Sequence, residues 1–267
     1  MKSISICFIA FLSVGVSFGV NAQKLPNKQE VSLRAPAGIK VDGKDLEWNN
    51  HFQAYNHSTD VFYTMANDDD NLYMVIQAED SGTIRKITQG GITLFIYKYT
   101  NNKNPVGITY PVTSKALYFT GLASKHGGQM VSNGNPDSII KHNNSILELS
   151  CKWIKVIGIE GLDTLISVYN DDGVKAAGLF NHDNKYTCEI SVSLKLLRLS
   201  ADNQSKFSYH IRLNGAKSLG PMTLLPRPDG EPPSEAAERF IATVNASNAQ
   251  LAAPTDFGGE YTLAKKP

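Results

Sequence analysis

The stretch MANDDDNLYMVIQAED, which covers residues 65–80, decides the fold of this chain. In residues 72–79 every even-numbered position is apolar, while the odd-numbered positions become polar toward the end. Because successive side chains of a strand point to opposite faces, this pattern predicts a strand with one fully buried face. The three acids Asp68, Asp69 and Asp70 come just before it, where the chain must reverse direction.

Further runs of β-forming residues follow, and clusters of Gly, Asn, Asp and Pro separate them. They cover residues 91–97, 146–159, 165–169, 186–192 and 207–213, and a last one covers 259–263. Helical patterning is limited to residues 193–199 and 234–251, and Ser234 is placed to cap the second segment. The whole pattern predicts an all-β fold, a β-sandwich of the jelly-roll type with short helices.

The first residues have the pattern of a secretory signal peptide. Lys2 precedes an uncharged apolar run from Ile4 to Val20, and small residues stand at the two positions read by a signal peptidase, with cleavage expected near Ala22. The protein is therefore predicted to be secreted or periplasmic. No later segment approaches the roughly 20 apolar residues that a membrane-spanning helix needs.

The predicted domain organisation follows from these boundaries. Residues 1–22 form the signal peptide and residues 23–34 an N-terminal linker. Residues 35–225 form the β-sandwich, a length that suits one large β domain. Residues 226–267 comprise a Pro-rich loop, a helix and a C-terminal strand that associate with the same domain.

The charge balance bears on the choice of partner. The chain has 26 Lys and Arg against 25 Asp and Glu, and removal of Lys2 with the signal peptide makes the two counts equal. Because phosphate binding needs a basic excess or a basic stripe, nucleic acid is not expected as a partner. Two cysteines, Cys151 and Cys188, remain in the predicted mature chain, and both a disulfide and a pair of buried thiols are open.

Four motifs in order resemble the family 9 carbohydrate-binding modules and related DOMON-like sandwiches, in particular a secreted branch of the Bacteroidetes type. The opening "V-D-G … E-W" stands at residues 41–48, and a "D-D … L-Y" hairpin stands at 67–73. A late "Y-x-x-E-I … L" strand stands at 186–194 and is followed by a strand at 207–215. The resemblance covers about residues 35–215.

This resemblance implies a sandwich that binds sugars without cleaving them. Members of the family hold a sugar between two tryptophans on loops and carry calcium ions. The present chain has only Trp48 and Trp153, and Trp48 belongs to the opening motif, so the tryptophan pair has no counterpart here. Sugar binding is thus an expectation from the fold, and a poly- or oligosaccharide is the expected partner.

The acids at the predicted hairpin have two interpretations. Asp and Asn favour turns because their side chains bond the nearby backbone, which makes a plain turn the simpler one. Calcium takes six to eight oxygen ligands, and Asp68 with Asp70 are the candidates to supply two of them. Calcium is accordingly the one cofactor that the sequence suggests.

Aromatic residues are the best indication of a ligand site. Sugars stack their apolar ring faces on aromatic side chains, while polar groups bind the hydroxyls. Trp153 and Tyr99 lie near loops rich in Gly and Asn, and we predict them as ligand-binding residues. No catalytic residues are assigned, because the chain has no HExxH, GxSxG, P-loop or GxGxxG pattern.

Two alternative functions stay open. A glycoside hydrolase would use a pair of carboxylates distant in sequence, since the neighbours Glu79 and Asp80 point to opposite faces of a strand. A haem-binding electron carrier would pair Met65 or Met74 with one of the six histidines.

Glu189, in an alternating strand, is expected to face solvent or to meet an arginine.

Overall fold

The computed structural model of the protein describes residues 24–49, 51–98, 101–113, 135–216, 220–224 and 232–266, with only the backbone for residues 101–103. The strands are β1 Ala54–Asn56, β2 Val61–Asn67, β3 Asn71–Ala78, β4 Ile92–Lys98, β5 Asn101–Val112, β6 Trp153–Ile157, β7 Leu165–Ser167, β8 Val174–Phe180, β9 Tyr186–Ser193, β10 Lys206–Leu213 and β11 Thr255–Thr262. The helices are α1 Ser81–Gly90, α2 Pro136–Ser150, α3 Leu194–Leu197 and α4 Glu235–Ala252. The predicted signal peptide lies outside the described residues.

The strands form two antiparallel sheets. One sheet has the order β1-β2-β3-β9-β8, and the other has the order β11-β10-β4-β5-β6-β7. The main core lies between them, because each strand turns alternate residues inward; in β10 these are Phe207, Tyr209, Ile211 and Leu213. The predicted all-β sandwich is confirmed.

The acidic stretch at residues 65–80 contains the turn of the β2–β3 hairpin. Met65 lies opposite Met74 and Asn67 lies opposite Leu72, so that the three acids occupy the turn. The predicted strand at 72–79 is confirmed as β3, which is buried along nearly its whole length. It becomes the central strand of the five-stranded sheet, between β2 and β9.

The predicted strand at 146–159 is wrong in its first part. Helix α2 extends to Ser150, and the strand begins only at Trp153. The Asn135 side chain accepts a hydrogen bond from the Asp137 backbone N–H, and Pro136 starts the first turn. Ile139, Asn143 and Leu147 are buried at intervals of four residues, which is the helical period.

Helix α1 and strands β1, β5 and β8 were not predicted either; β5 begins in the Gly- and Asn-rich stretch that was predicted to be a loop. Asp80 caps α1 by accepting a hydrogen bond from the Thr83 N–H at 2.8 Å, and Gly91 ends the helix at φ 81°. The two helices that the sequence does predict are present. Ser234 caps α4 through the N–H of Ala237, and α3 covers four residues of the segment 193–199.

The N-terminal segment lies on the outer face of the five-stranded sheet. Trp48 and Phe52 pack there against Tyr73 and Val75 in a second apolar cluster. The Gln29 side chain accepts from the N–H of Met65 at 2.7 Å and donates to its carbonyl at 2.8 Å. Both faces of this sheet are therefore covered, which explains the continuous burial of β3 and β9.

The remaining expectations concern the cysteines and the C-terminus. Cys151 and Cys188 are both buried free thiols, and burial raises the pKa of each. Strand β11 pairs with β10 along its whole length, so the C-terminal strand is an edge of the six-stranded sheet. Among the helices of the described residues, none has the length and apolarity to cross a membrane.

Candidate functional site

The outer face of the six-stranded sheet carries the residues that alternate with the core. The strand register places two rows of them across four strands. Arg212, Thr93, Thr109 and Lys155 form one row, and His210, Phe95, Gly107 and Ile157 form the next. Unlike the five-stranded sheet, this face leaves large apolar side chains exposed, which include Trp153 and Ile157 at 45% and 42%.

The second row has an apolar floor because Gly107 has no side chain. A Cβ atom at Gly107 would lie 3.1 Å from the Phe95 ring and 3.6 Å from the Ile157 Cβ atom. The Phe95 ring therefore lies across β5 toward Ile157. The Arg212 guanidinium also lies over the Phe95 ring, with its central carbon 5.6 Å from the ring centroid.

Polar side chains lie beside this floor in the first row. The hydroxyls of Thr93 and Thr109 are 2.8 Å apart, and the Asn214 side-chain amide donates to the Thr93 hydroxyl at 2.9 Å. Together with Lys155 and Phe95, these residues line a cleft of about 370 Å³. The cleft thus combines an aromatic ring with hydroxyl, amide and ammonium groups.

Trp153 lies next to this cleft. It is paired with Val112, which lines the cleft, and with Ser167 of the edge strand β7. It points outward because Ile154 and Val156, the alternate residues of β6, are in the core. The other predicted ligand residue, Tyr99, lies outside the described residues.

The predicted metal residues Asp68 and Asp70 lie in the β2–β3 turn. The Asp68 Oδ1 atom accepts from the N–H groups of Asp70 and Asn71, and its Oδ2 atom accepts from the Tyr73 hydroxyl at 2.7 Å. Asp69 forms an ion pair with Arg34 at 2.8 Å, which lowers its pKa. Both Asp68 oxygens are thus engaged within the hairpin, as the plain-turn interpretation requires.

The prediction for Glu189 is wrong. Its side chain points outward from β9, but the N-terminal segment covers it, and only 2% of the residue is exposed. Its Oε2 atom accepts from the N–H groups of Asp42 and Gly43 at 2.9 and 2.8 Å, and its Oε1 atom accepts from the Trp48 indole at 2.8 Å. Burial raises the pKa of Glu189 to about 7, although the three donors oppose that rise.

This arrangement explains two of the sequence motifs together. The "V-D-G" and "E-W" residues of the opening segment meet the glutamate of the "E-I" strand at one buried point. A Cβ atom at Gly43 would lie 2.9 Å from the Gly178 backbone, and Gly43 adopts φ 81°. The motifs therefore attach the N-terminal segment to the sheet, and their role here is structural.

The carboxylates considered for hydrolysis have structural partners. Glu79 forms an ion pair with Lys185 at 2.6 Å, and Asp80 caps α1. The haem alternative gains no support from the described residues. Met65 and Met74 are buried in the core, whereas the described histidines are all exposed; these are His51, His57, His142, His182 and His210.

The comparisons with known proteins find a likeness among solved structures only. No protein-family model matches the chain, and no curated protein matches it. Among solved structures, the chain is similar to a family 9 carbohydrate-binding module from Caldicellulosiruptor kristjanssonii in complex with glucose. The likeness has a TM-score of 0.36 and 10% identity and covers 89% of this chain and 96% of that chain. At this level the comparison assigns no ligand and no residue roles to the present chain.

Proposed function

We propose that this protein is a secreted, non-catalytic carbohydrate-binding protein of the Bacteroidetes-type branch that its motifs resemble, and that it binds saccharide on the outer face of the six-stranded sheet. The observation that supports this function is the exposed Trp153 beside a cleft that joins Phe95 to a row of polar side chains. Sugars need this combination, because their ring faces are apolar and their edges carry hydroxyls.

Each part of the face has a role in this proposal. Trp153 and Phe95 provide ring surfaces for stacking, and the Lys155 ammonium provides hydrogen-bond donors for hydroxyls. The threonine pair holds Asn214 in place through the bond to Thr93. A single exposed tryptophan gives a one-sided platform, so we expect weak binding that depends on the polar row for selectivity.

The test is glycan-array binding of the wild type, Trp153→Ala and Phe240→Ala. Phe240 is the matched control, since it is an exposed aromatic residue, at 63%, on α4. We expect Trp153→Ala to lose binding with an unchanged melting temperature, and Phe240→Ala to bind like the wild type. Equal binding by all three proteins would contradict the assignment of Trp153 to the site.

The non-catalytic part of the proposal needs a separate measurement. The polysaccharides that the protein binds are incubated with it, and the solution is analysed for released saccharide. Retention of the polysaccharide without release is the expected result. Release of products would instead support the hydrolase alternative, and failure of the wild type to bind any glycan would refute the proposed function.

A further inference from the structure

The cleft on the sheet face is one end of a longer groove. A second cleft of about 520 Å³ shares Ile157 with it and continues along Asn104, Pro105 and residues 158–160. A third cleft of about 750 Å³ shares Asn104 and residues 158–160 with the second. We give the name β6 groove to these three adjoining clefts, which extend from Lys155 past Ile157 and Glu160 to Arg198.

The chain geometry keeps the middle of the β6 groove open. Gly158 follows β6 directly and adopts φ 75°. A Cβ atom there would lie 2.6 Å from the Pro105 carbonyl oxygen, so the two backbones approach closely and no side chain stands at the junction. From Trp153 to Ile157, strand β6 rises about 13 Å at about 3.3 Å per residue, and a ligand that contacts both ends of this face is an extended chain and not a single sugar.

The far end of the groove is rich in charged residues. Lys98 comes from the end of β4, and Lys195 and Arg198 come from α3 and its C-terminal cap. Arg198 adopts a left-handed backbone at φ 51°, and the next residue, Leu199, donates its N–H to the Leu194 carbonyl at 2.9 Å. Arg198 lines the third cleft, and its guanidinium lies 3.1 Å from the Glu160 carboxylate.

Three cations and three acids line the third cleft, but two of the acids, Glu160 and Asp171, already have ion-pair partners, whereas two of the cations, Lys98 and Lys195, have none within the described residues. Glu160 pairs with Arg198 at 3.1 Å, but both side chains are largely exposed, so the pair contributes little. Asp171 is paired with Lys175 at 3.1 Å, which leaves Asp172 as the other acid of the cleft. Burial, and to a smaller extent the nearby charge of Arg198, lowers the pKa of Lys98.

We propose that the β6 groove binds a linear acidic polysaccharide, with sugar rings along Trp153, Phe95 and Ile157 and an anionic substituent at Lys98, Lys195 and Arg198. This inference rests on the proposed function and specifies its ligand class. A carboxylate or a sulfate on the sugar provides the same chemistry, an anion with several acceptor oxygens for ammonium and guanidinium donors. The two sources are separated by the probes used.

The experiment measures binding to polygalacturonate, to the same polymer after methyl esterification, to dextran sulfate and to unmodified dextran. Each pair shares a backbone and differs in charge. We expect at least one acidic polymer to bind about tenfold more tightly than its neutral partner, and the advantage to shrink at high salt. The pair that shows the advantage tells whether the anion is a carboxylate or a sulfate.

Variants connect that advantage to the groove. Lys98→Ala and Arg198→Ala should each remove most of the preference for the acidic polymer over its neutral partner. Lys44→Ala is the matched control, because Lys44 is an exposed lysine, paired with Asp42, in the segment over the other sheet. It should behave like the wild type.

Failure of this inference differs from failure of the proposed function. Binding of neutral and acidic polymers with equal affinity, or a preference that neither variant reduces, would overturn the acidic-ligand inference and leave saccharide binding standing. Absence of binding to every polymer here and to every glycan of the array would overturn both.

Discussion

Substitution of Glu189 by glutamine should change how the stability of this protein depends on pH. The carboxyl group is buried under the N-terminal segment, and its pKa is raised from about 4.5 to about 7 in the folded protein. Between pH 4.5 and about pH 7, the folded protein therefore keeps a proton on Glu189 that the unfolded chain has released. Glutamine stays neutral at every pH in this range, so the variant lacks this effect.

The size of the effect follows from the rise in pKa. Because the folded pKa is raised, the stability contributed by Glu189 is fully present below pH 4.5 and is lost as the pH rises to about 7. At about 1.4 kcal/mol per unit of pKa, the loss amounts to about 3 kcal/mol. Glutamine also lacks one acceptor oxygen for the three N–H donors, which costs about 1–3 kcal/mol at all pH values.

The measurement is urea unfolding of the wild type and Glu189→Gln at pH 4.5 and pH 8, followed by tryptophan fluorescence, since Trp48 lies against Glu189. We expect the wild type to be the more stable protein at pH 4.5. The difference in free energy of unfolding between the wild type and the variant should be about 3 kcal/mol smaller at pH 8. Glu79→Gln is the control, because Glu79 is 45% exposed and should shift stability by less than about 1 kcal/mol.

A wild-type advantage that is the same at both pH values would refute this reasoning. It would mean that the three donors from Asp42, Gly43 and Trp48 compensate fully for the burial of the carboxylate. Equal stability of the two proteins at pH 4.5 and pH 8 would go further, since it would show that the N-terminal segment is not held at Glu189.

Two other predictions concern the hairpin and the core. Asp68→Ala should lower the free energy of unfolding by about 1–2 kcal/mol, because three hydrogen bonds to the carboxylate are lost, whereas Asp70→Ala should change it by less than about 0.5 kcal/mol. For the same turn, millimolar calcium should leave the melting temperature unchanged; a rise that Asp70→Ala abolishes would instead establish a calcium site. Tyr186→Phe should stabilise the protein by about 1 kcal/mol in thermal unfolding, because the buried Tyr186 hydroxyl has no hydrogen-bond partner within the described residues. Destabilisation of similar size would show that the hydroxyl has a partner.

Two strands with clear burial were predictable from their sequence pattern. The alternation in residues 207–213 and the apolar run in 72–79 correspond to β10 and β3. Helix α2 was missed because residues 146–159 combine the end of a helix with a strand, and isoleucine is compatible with both. Capping by Asn135 and burial at every fourth position identify residues 136–150 as a helix.

The candidate site was predictable only in part. The sequence alone identified Trp153 as a possible platform, and the structure shows it exposed beside a cleft. The other residues of the face come from β4, β5, β10 and the segment after β10, and they meet only through strand pairing. Phe95, Thr109 and Asn214 are ordinary residues in their local sequence, so no local pattern marks them.

The sequence by itself determined which residues alternate, where the chain turns and which motifs are present, because these depend on neighbours within a few positions. Tertiary structure alone decided what covers each face. Glu189 points away from the main core, as its alternation requires, yet it is buried because residues about 140 positions earlier lie over it. The outer face of the six-stranded sheet has the same alternation and leaves Trp153 and Ile157 exposed. Period-two alternation specifies the side of the sheet, whereas burial depends on distant segments, and that difference separates a structural carboxylate from a candidate binding face.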